Sequence, residues 1–263
     1  MEPRVVQADN AGLFTLSGTR THLIGRERVA VLDPGPDDPL HLERLCRELE
    51  GASHVTILVT HGHADHSAGA LPLARALEGG VVPEVAEVRV RGAAPGIPET
   101  LGDQDRIATD HGMLRALWTP GHARPHFAFL WEEPNLLFPG DLLLGEGNTA
   151  WVGSYPGCVA DYLASLDRLE PLSATRVFPA HGPPLEDPAE AIQRFRGHRL
   201  HRLEQVAAAL DQDPATEADR IVDRIYGSAL PRSLRGAARW SVFALLDHLG
   251  ARPFPPGAPL EEG

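Results

Sequence analysis

Residues 60–66 read Thr-His-Gly-His-Ala-Asp-His and place three imidazoles and a carboxylate within six residues. The preceding run at 55–60, Val-Thr-Ile-Leu-Val-Thr, is apolar and β-branched, which predicts a buried strand. A strand fixes the backbone at its end, while the loop beyond it can turn several side chains toward one point. Imidazole nitrogen and carboxylate oxygen are ligands that suit Zn²⁺ and similar ions. The stretch predicts a metal site; the competing interpretation is a polar turn with chance histidines.

Three later segments repeat this arrangement, because each is an apolar run that ends at Pro and a small residue. His122 follows the run at 114–118, Asp141 follows 136–138, and His181 follows 176–178. Proline beside a small residue allows a sharp bend and a close approach of the backbone to a neighbour. Four such clusters in one chain are difficult to obtain by chance, so we expect their side chains to converge.

The motifs THGHADH, TPGHA, PGD and PAHG, in this order, resemble those of the metallo-β-lactamase superfamily over about residues 1–190. The resemblance implies an α+β fold, the αββα sandwich, in which two sheets face each other and helices cover the outside. It also implies two divalent metal ions, with zinc as the first choice and manganese or iron as alternatives. The implied ligands are His61, His63 and His122 for one ion, Asp65, His66 and His181 for the other, and Asp141 as the bridge.

The chemistry that the resemblance implies is hydrolysis by a hydroxide that bridges the two ions. Two ions roughly 3.5–4 Å apart can lower the pKa of a shared water while one of them polarises a carbonyl or phosphoryl oxygen. Asp65 can in addition orient the attacking hydroxide, which makes it the catalytic candidate. Esters, thioesters, lactones and RNA phosphodiesters are all within reach of this chemistry.

Residues 188–263 are predicted to form a small helical extension of a catalytic domain at 1–187. Residues 187–190, Asp-Pro-Ala-Glu, combine an N-cap, a first-turn proline and a capping-box glutamate. They predict a helix to about Leu210; further helices are expected after Asp213 and at 233–249, with a frayed end at 250–263. The pattern His-Arg-x-x-Arg-x-x-Gln at 198–205 resembles the extension of the β-lactamase-like endoribonucleases.

Two substrate classes remain open, namely single-stranded RNA and a small acyl compound such as a thioester, ester or lactone. The resemblance of the tail favours RNA, and Arg194, Arg199 and Arg202 on its first helix are placed to contact phosphates. The net charge of −12 argues against a polyanion, whereas an acyl substrate requires only an apolar pocket beside the metals. His126, His198 and Arg199 are the candidate substrate-binding residues.

Two functions of another kind are compatible with parts of the sequence. Iron-dependent sulfur dioxygenases share a THxHADH loop, but they tend to end in a His-Asp-Tyr type motif where this chain has His-Gly-Pro at 181–183. A non-catalytic scaffold would have lost metal ligands, and this set is intact. Antibiotic-hydrolysing relatives are exported and generally lack the bridging aspartate. We therefore expect a dinuclear metal-dependent hydrolase.

Composition sets further expectations. No apolar run approaches the roughly 20 residues of a membrane span, and residues 1–10 contain no apolar signal region, so we expect no membrane association and a cytoplasmic location. Cys46 and Cys158 are expected to be free thiols. Nothing in the sequence indicates an oligomeric state.

The segment at 4–33 predicts a β-meander with strands at 14–16, 21–24 and 29–32. Asp33, in the turn after the last of these, is either a plain turn residue or a support for the metal-binding loop. Helices are predicted from Asp38 to Gly51, at 67–78 and at 159–169, and a strand is possible at 88–90. The remaining histidines, His22, His41, His54, His111 and His248, are assigned to the surface.

Overall fold

The computed structural model of the chain describes residues 1–257, so part of the predicted frayed end, residues 258–263, lies outside the described residues. The strands are β1 (Arg4–Gln7), β2 (Arg20–Ile24), β3 (Arg28–Leu32), β4 (His54–Val59), β5 (Glu87–Gly92), β6 (Glu99–Thr100), β7 (Arg106–Thr109), β8 (Gly112–Trp118), β9 (Phe127–Trp131), β10 (Leu136–Phe138) and β11 (Arg176–Val177). The helices are α1 (Pro39–Glu48), α2 (Ala64–Ser67), α3 (Ala70–Glu78), α4 (Cys158–Leu169), α5 (Pro188–Gln212), α6 (Ala218–Tyr226) and α7 (Arg235–His248).

Two sheets stack face to face and helices cover both outer faces, which confirms the predicted αββα sandwich. The first sheet has the order β1-β2-β3-β4-β5-β6 and the second β11-β10-β9-β8-β7. Side chains of a strand alternate between its two faces. Along β3, Val29 and Val31 therefore join an apolar cluster with α1 and α3, while Ala30 and Leu32 join the cluster between the sheets.

The helical tail shares a core with the rest of the chain. One apolar cluster contains Leu137 of the second sheet, Leu166 of α4, Phe195 of α5 and Leu245 of α7. Helix α5 begins as predicted, with the Asp187 side chain accepting a hydrogen bond from the backbone N–H of Glu190 at 2.9 Å. The division into domains at 187/188 stays a prediction.

The motif segments lie along one edge of the sandwich because of strand direction. Strands β3 and β4 run parallel, so their carboxyl ends meet, and β10 and β11 are likewise parallel. The antiparallel β9 begins at the edge where β8 and β10 end. The backbone N–H of Phe127 donates to Thr60 O at 2.9 Å and thereby joins the two sheets at this edge.

Glycines in two of the motifs permit backbone approaches that other residues would obstruct. Gly121 has φ +140°, and a Cβ at this position would lie 2.4 Å from the Cα of Tyr162. Gly140 has φ +54°, and its Cβ would lie 2.8 Å from Nε2 of His126. The bends of the TPGHA and PGD motifs therefore require glycine.

The predicted strand at 14–16 is wrong. Only a single bridge joins Gly12 and Leu16 in this segment, Leu16 has a φ of +53°, and the first strand is β1 instead. Gly12 and Gly18 flank a tight loop, so the apolar run does not join a sheet. Leu13 and Phe14 project from this loop with 61% and 51% of their surface exposed.

Two histidines assigned to the surface are buried. The His22 ring lies edge-on to Phe138, with ring centroids 5.1 Å apart, and burial lowers its pKa to about 3. His41 is covered by the β2–β3 region, where its Nε2 lies 3.1 Å from Thr21 Oγ1. Both rings are neutral at pH 7 in these environments, since burial also lowers the pKa of His41. The surface assignment failed because an imidazole can be covered like an apolar ring once it is uncharged.

Other local predictions are confirmed wholly or in part. The helix predicted at 67–78 is present as α3 from Ala70 onward, but it is separate from α2, which ends at Ser67. Strand β5 contains the possible strand at 88–90. Cys46 and Cys158 are both free and buried, as expected for thiols outside any disulfide. Within residues 1–257, no helix combines the length and apolarity needed to cross a membrane.

We expect Leu245→Ala to lower the free energy of unfolding by about 2–5 kcal/mol, because it removes a buried side chain from the core that the tail shares. Urea unfolding monitored by Trp fluorescence measures the change. Leu249→Ala, one turn later and 39% exposed, is the matched control and should change stability by about 0.5 kcal/mol or less. Equal effects of the two variants would contradict the shared core.

Candidate metal centre

The seven predicted ligands converge at the edge where the sheets meet. They form three overlapping groups whose ligand atoms lie within 4.8 Å of one another. The groups are His61, His63 and His122; Asp65, His66 and His181; and, between these two, His61, His66 and Asp141.

The first group brings three ring nitrogens together. Nε2 of His61 lies 2.7 Å from Nδ1 of His63, and Nε2 of His122 lies 3.0 Å from the same atom. His61 and His63 extend from the loop after β4, whereas His122 comes from the β8–β9 loop. The two sheets therefore contribute jointly to this group.

The second group combines a carboxylate with two imidazoles. Nε2 of His181 lies 3.2 Å from Nε2 of His66 and 3.1 Å from Oδ2 of Asp65. Asp141 stands between the groups, since its Oδ1 is 3.4 Å from Nε2 of both His66 and His181 and its Oδ2 is 3.7 Å from Nε2 of His122. This is the position that a bridging ligand requires.

Outer hydrogen bonds orient three of the imidazoles. Nδ1 of His66 donates to Oδ2 of Asp33 at 2.8 Å, Nδ1 of His122 donates to Trp151 O at 2.9 Å, and Nδ1 of His61 faces Thr60 Oγ1 at 2.9 Å. A proton held at Nδ1 leaves Nε2 with a lone pair directed into the cluster. Imidazoles that bind metals are usually fixed in this way.

Asp33 supports the metal-binding loop, the second of the two interpretations that its sequence position allowed. Its Oδ1 accepts from the backbone N–H of Thr60 at 2.8 Å, and its Oδ2 accepts from Thr60 Oγ1 at 2.8 Å and from His66. Asp33 itself is 3% exposed and has a φ of +49°. The carboxylate thus fixes both the start of the loop and one of its imidazoles.

The electrostatics of the cluster favour positive charge on one side of it. Burial opposes a charged His66, but the carboxylates of Asp65, Asp141 and Asp33 raise its pKa well above the ordinary value. Burial likewise opposes charge on His181, yet Asp141 and Asp65 raise its pKa to about 9. Burial and the neighbouring imidazoles of His66, His63 and His122 lower the pKa of His61 well below its ordinary value.

This donor set fits divalent ions. Within residues 1–257, the buried Oδ1 of Asp141 has no hydrogen-bond donor, although imidazole nitrogens surround it. An ion between these atoms would satisfy the oxygen and relieve the crowding of ring nitrogens. Five imidazoles and two carboxylates, with no sulfur, suit zinc and similar ions.

The family model described as the metallo-beta-lactamase superfamily matches residues 15–181 of the chain. The chain belongs to this superfamily. The matched region begins in the loop before β2 and ends at His181, so it includes every predicted ligand.

Relatives within the superfamily cover most of the chain. The Beta-lactamase-like protein 2 homolog of Caenorhabditis elegans is 30% identical over 245 residues, which span 91% of this chain and 81% of that protein. A protein of Aspergillus chevalieri named atrochrysone carboxyl ACP thioesterase is 30% identical over 238 residues, or 86% of this chain and 74% of that protein. The crystal structure of a beta-lactamase domain protein from Burkholderia ambifaria superposes with a TM-score of 0.78 at 23% identity, covering 94% of this chain and 85% of the other.

A cavity of about 1260 Å³ opens beside the cluster. His63, Asp65, His122, Asp141 and His181 form its polar end. The other walls are mostly apolar and come from the loop before β2, the loop between β10 and α4, and the C-terminal part of the chain from the α6–α7 connection into α7. They include Leu13, Phe14, Trp151, Leu230, Leu234 and Trp240.

The three predicted substrate-binding residues differ in their placement. His198 and Arg199 both line the cavity, but Arg199 is only 3% exposed. His198 is half-buried, and burial together with the adjacent arginines lowers its pKa to about 4. His126 does not contact the cavity: its ring is fully buried behind His61, with Nδ1 3.0 Å from Thr119 Oγ1. This corrects the expectation that His126 lines the pocket.

Sequence reasoning missed the apolar walls of the cavity. Phe14 belongs to the predicted strand at 14–16 and Leu13 has no predicted role, although glycines at 12 and 18 flank both residues. No sequence pattern assigns a role to Trp151. The sequence signal for this wall was an apolar pair between two glycines. Such a pair is typical of an exposed loop as well as of a short strand.

We expect Asp33→Asn to weaken metal binding about 10–100-fold, because loss of an outer carboxylate that orients a ligating imidazole has effects of this size. Competition with a chromogenic chelator measures the affinity. Asp9→Asn, at a surface ion pair with Arg44, is the control and should leave affinity unchanged. An unchanged affinity in Asp33→Asn would show that His66 does not depend on this contact.

Proposed function

We propose that the chain is a dinuclear metal-dependent hydrolase that cleaves thioesters of bulky apolar acyl groups. The observation that carries the proposal is the pair of ligand groups with the Asp141 carboxylate between them. The relative named as a thioesterase, at 30% identity over most of both chains, supports the substrate class.

The ligand residues divide into two ion sites. His61, His63 and His122 would hold one ion, Asp65, His66 and His181 the other, with Asp141 bridging them. When bound, two such ions acidify water and polarise a carbonyl oxygen. Their buried location at the end of the cavity keeps the charged groups away from bulk water and strengthens their interactions.

Asp65 is the catalytic candidate among these residues. Its side chain lines the cavity and remains 16% exposed, while its Oδ2 faces Nε2 of His181. Burial raises the pKa of this carboxyl, but His66 and His181 lower it further, so the group is ionised at neutral pH. An ionised carboxylate in this place can orient a water molecule and accept its proton.

The cavity supports an acyl substrate of substantial size. Its volume of about 1260 Å³ exceeds the range of about 300–1,000 Å³ typical of small-molecule sites. Leu13 and Phe14 on one side, and Leu230, Leu234 and Trp240 on the other, offer apolar surface for the acyl group. A thioester carbonyl would then lie at the polar end.

RNA, the substrate class that the resemblance of the tail favoured, has weaker support. Arg194 lies 3.7 Å from Glu190, and Arg202 donates to Gln205 while it lies over the Tyr226 ring at 4.5 Å. Arg199 is buried. Together with the net charge of −12, these arrangements leave few cations in position for phosphates.

The substrate is tested with the zinc-loaded protein on three compounds: a thioester with a bulky apolar acyl group, an acetyl thioester and single-stranded RNA. We expect kcat/KM for the bulky thioester to exceed that for acetyl about 10-fold or more, since each buried CH₂ contributes about 0.8 kcal/mol. The rate of thioester hydrolysis should depend little on salt concentration. RNA cleavage that weakens steeply with salt would overturn the thioester proposal in favour of an endoribonuclease.

Metal content provides a separate test. We expect two ions per chain after purification without added metal. Asp141→Asn keeps the shape of the bridge but removes its charge, so at least one ion should be lost and turnover should fall about 10²-fold or more. Asp219→Asn, at an exposed ion pair with Arg239, is the control. One iron per chain with oxygen consumption on a persulfide would replace the hydrolase by a sulfur dioxygenase.

A further inference from the structure

Residues 150–157 lie between the metal cluster and the C-terminal helices. On the cluster side, Trp151 O accepts the hydrogen bond from Nδ1 of His122 at 2.9 Å. Ser154 Oγ also donates to the backbone carbonyl of His122 at 2.8 Å. The orientation of the His122 ring therefore depends on where this segment stands.

The C-terminal helices hold the same segment from the opposite side. Nη2 of Arg199 donates to Ala150 O at 2.9 Å, and Nε1 of Trp151 donates to Ala237 O at 3.0 Å. The backbones also approach closely, because a Cβ on Gly153 would lie 2.9 Å from the carbonyl carbon of Trp240. The tail and His122 are thus connected through two adjacent residues, Ala150 and Trp151.

Arg199 is an unusual anchor. It is 3% exposed, its guanidinium lies 5.4 Å from the centre of the Tyr162 ring, and no carboxylate within residues 1–257 forms an ion pair with it. Burial lowers its pKa. Burying a cation without a countercharge is costly, and a hydrogen bond from a charged donor is stronger than one from a neutral donor. The hydrogen bond to Ala150 O is the specific contact that the buried guanidinium of Arg199 makes with the segment at 150–157.

We propose that Arg199 is a positioning residue that fixes the Ala150–Trp151 segment, so that the Trp151 carbonyl orients His122 toward its ion. The proposal rests on the dinuclear site proposed above. The proposal predicts that loss of Arg199 weakens binding of the ion held by His122 and leaves the other ion unaffected. His66 and His181 have their outer partners elsewhere, at Asp33 and at Gly18 O, the latter 3.5 Å from Nδ1 of His181.

The experiment compares zinc release from the wild-type holoprotein, Arg199→Met and Arg199→Lys, titrated with a chromogenic chelator. We expect Arg199→Met to release one of its two ions about 10–100-fold more readily, the range known for outer contacts of metal ligands. The release of the other ion should be unchanged. Arg199→Lys, which retains a charged donor, should recover part of the loss. Cobalt substitution should show an altered absorption spectrum for one ion only.

Two further variants keep the test decisive. Trp151→Phe removes the donor to Ala237 O without removing a buried charge, and it should weaken the same ion to a smaller extent. Arg202→Met, one turn away on α5 and without a contact to Ala150, should behave as wild type.

Several outcomes would overturn the proposal: unchanged release steps in Arg199→Met and Trp151→Phe, equal weakening of both ions, or the same loss in Arg202→Met. These results leave the dinuclear hydrolase standing if the wild type binds two ions. A wild type that binds none would reject both proposals together.

Discussion

The metal-binding edge of the molecule depends on the buried carboxylate of Asp33. A buried charge must be compensated by hydrogen bonds, and Asp33 meets this need with the backbone and side chain of Thr60 and with Nδ1 of His66. The same three bonds fix the end of β4, the start of the motif loop and one imidazole. Because the Thr60 carbonyl also accepts from Phe127, the constraint extends to the second sheet.

The fold and the convergence of the seven candidate ligands were largely predictable from the sequence. Ligand residues such as His61, His122 and Asp141 follow apolar runs, and strands that end at a common edge bring such residues together. The αββα sandwich itself was predicted from the resemblance to the metallo-β-lactamase superfamily. The roles of these side chains as ligands remain proposals, but their convergence is a property of the fold.

Features that depend on what covers a side chain were not predictable. His22 and His41 are polar residue types, which favours a surface position, but both are buried as uncharged rings. Leu13 and Phe14 have the composition of a strand but project from a loop. Arg199 is predicted to contact a substrate, yet its guanidinium donates to the backbone carbonyl of Ala150, in the loop between β10 and α4. In each case tertiary contacts, which no local pattern records, decided the outcome.

The burial of both cysteines affects how the protein reacts with inhibitors that target thiols. Thiolate is the form that binds soft metals and reacts with electrophiles, and burial raises the pKa of Cys158 to about 11 and also raises that of Cys46. At neutral pH, therefore, burial and protonation both slow the reaction of these thiols with mercury, cadmium and alkylating reagents while the chain is folded. Rapid inactivation by a thiophilic ion would then point to the candidate nitrogen and oxygen ligands, and rapid labelling of a thiol would point to unfolding.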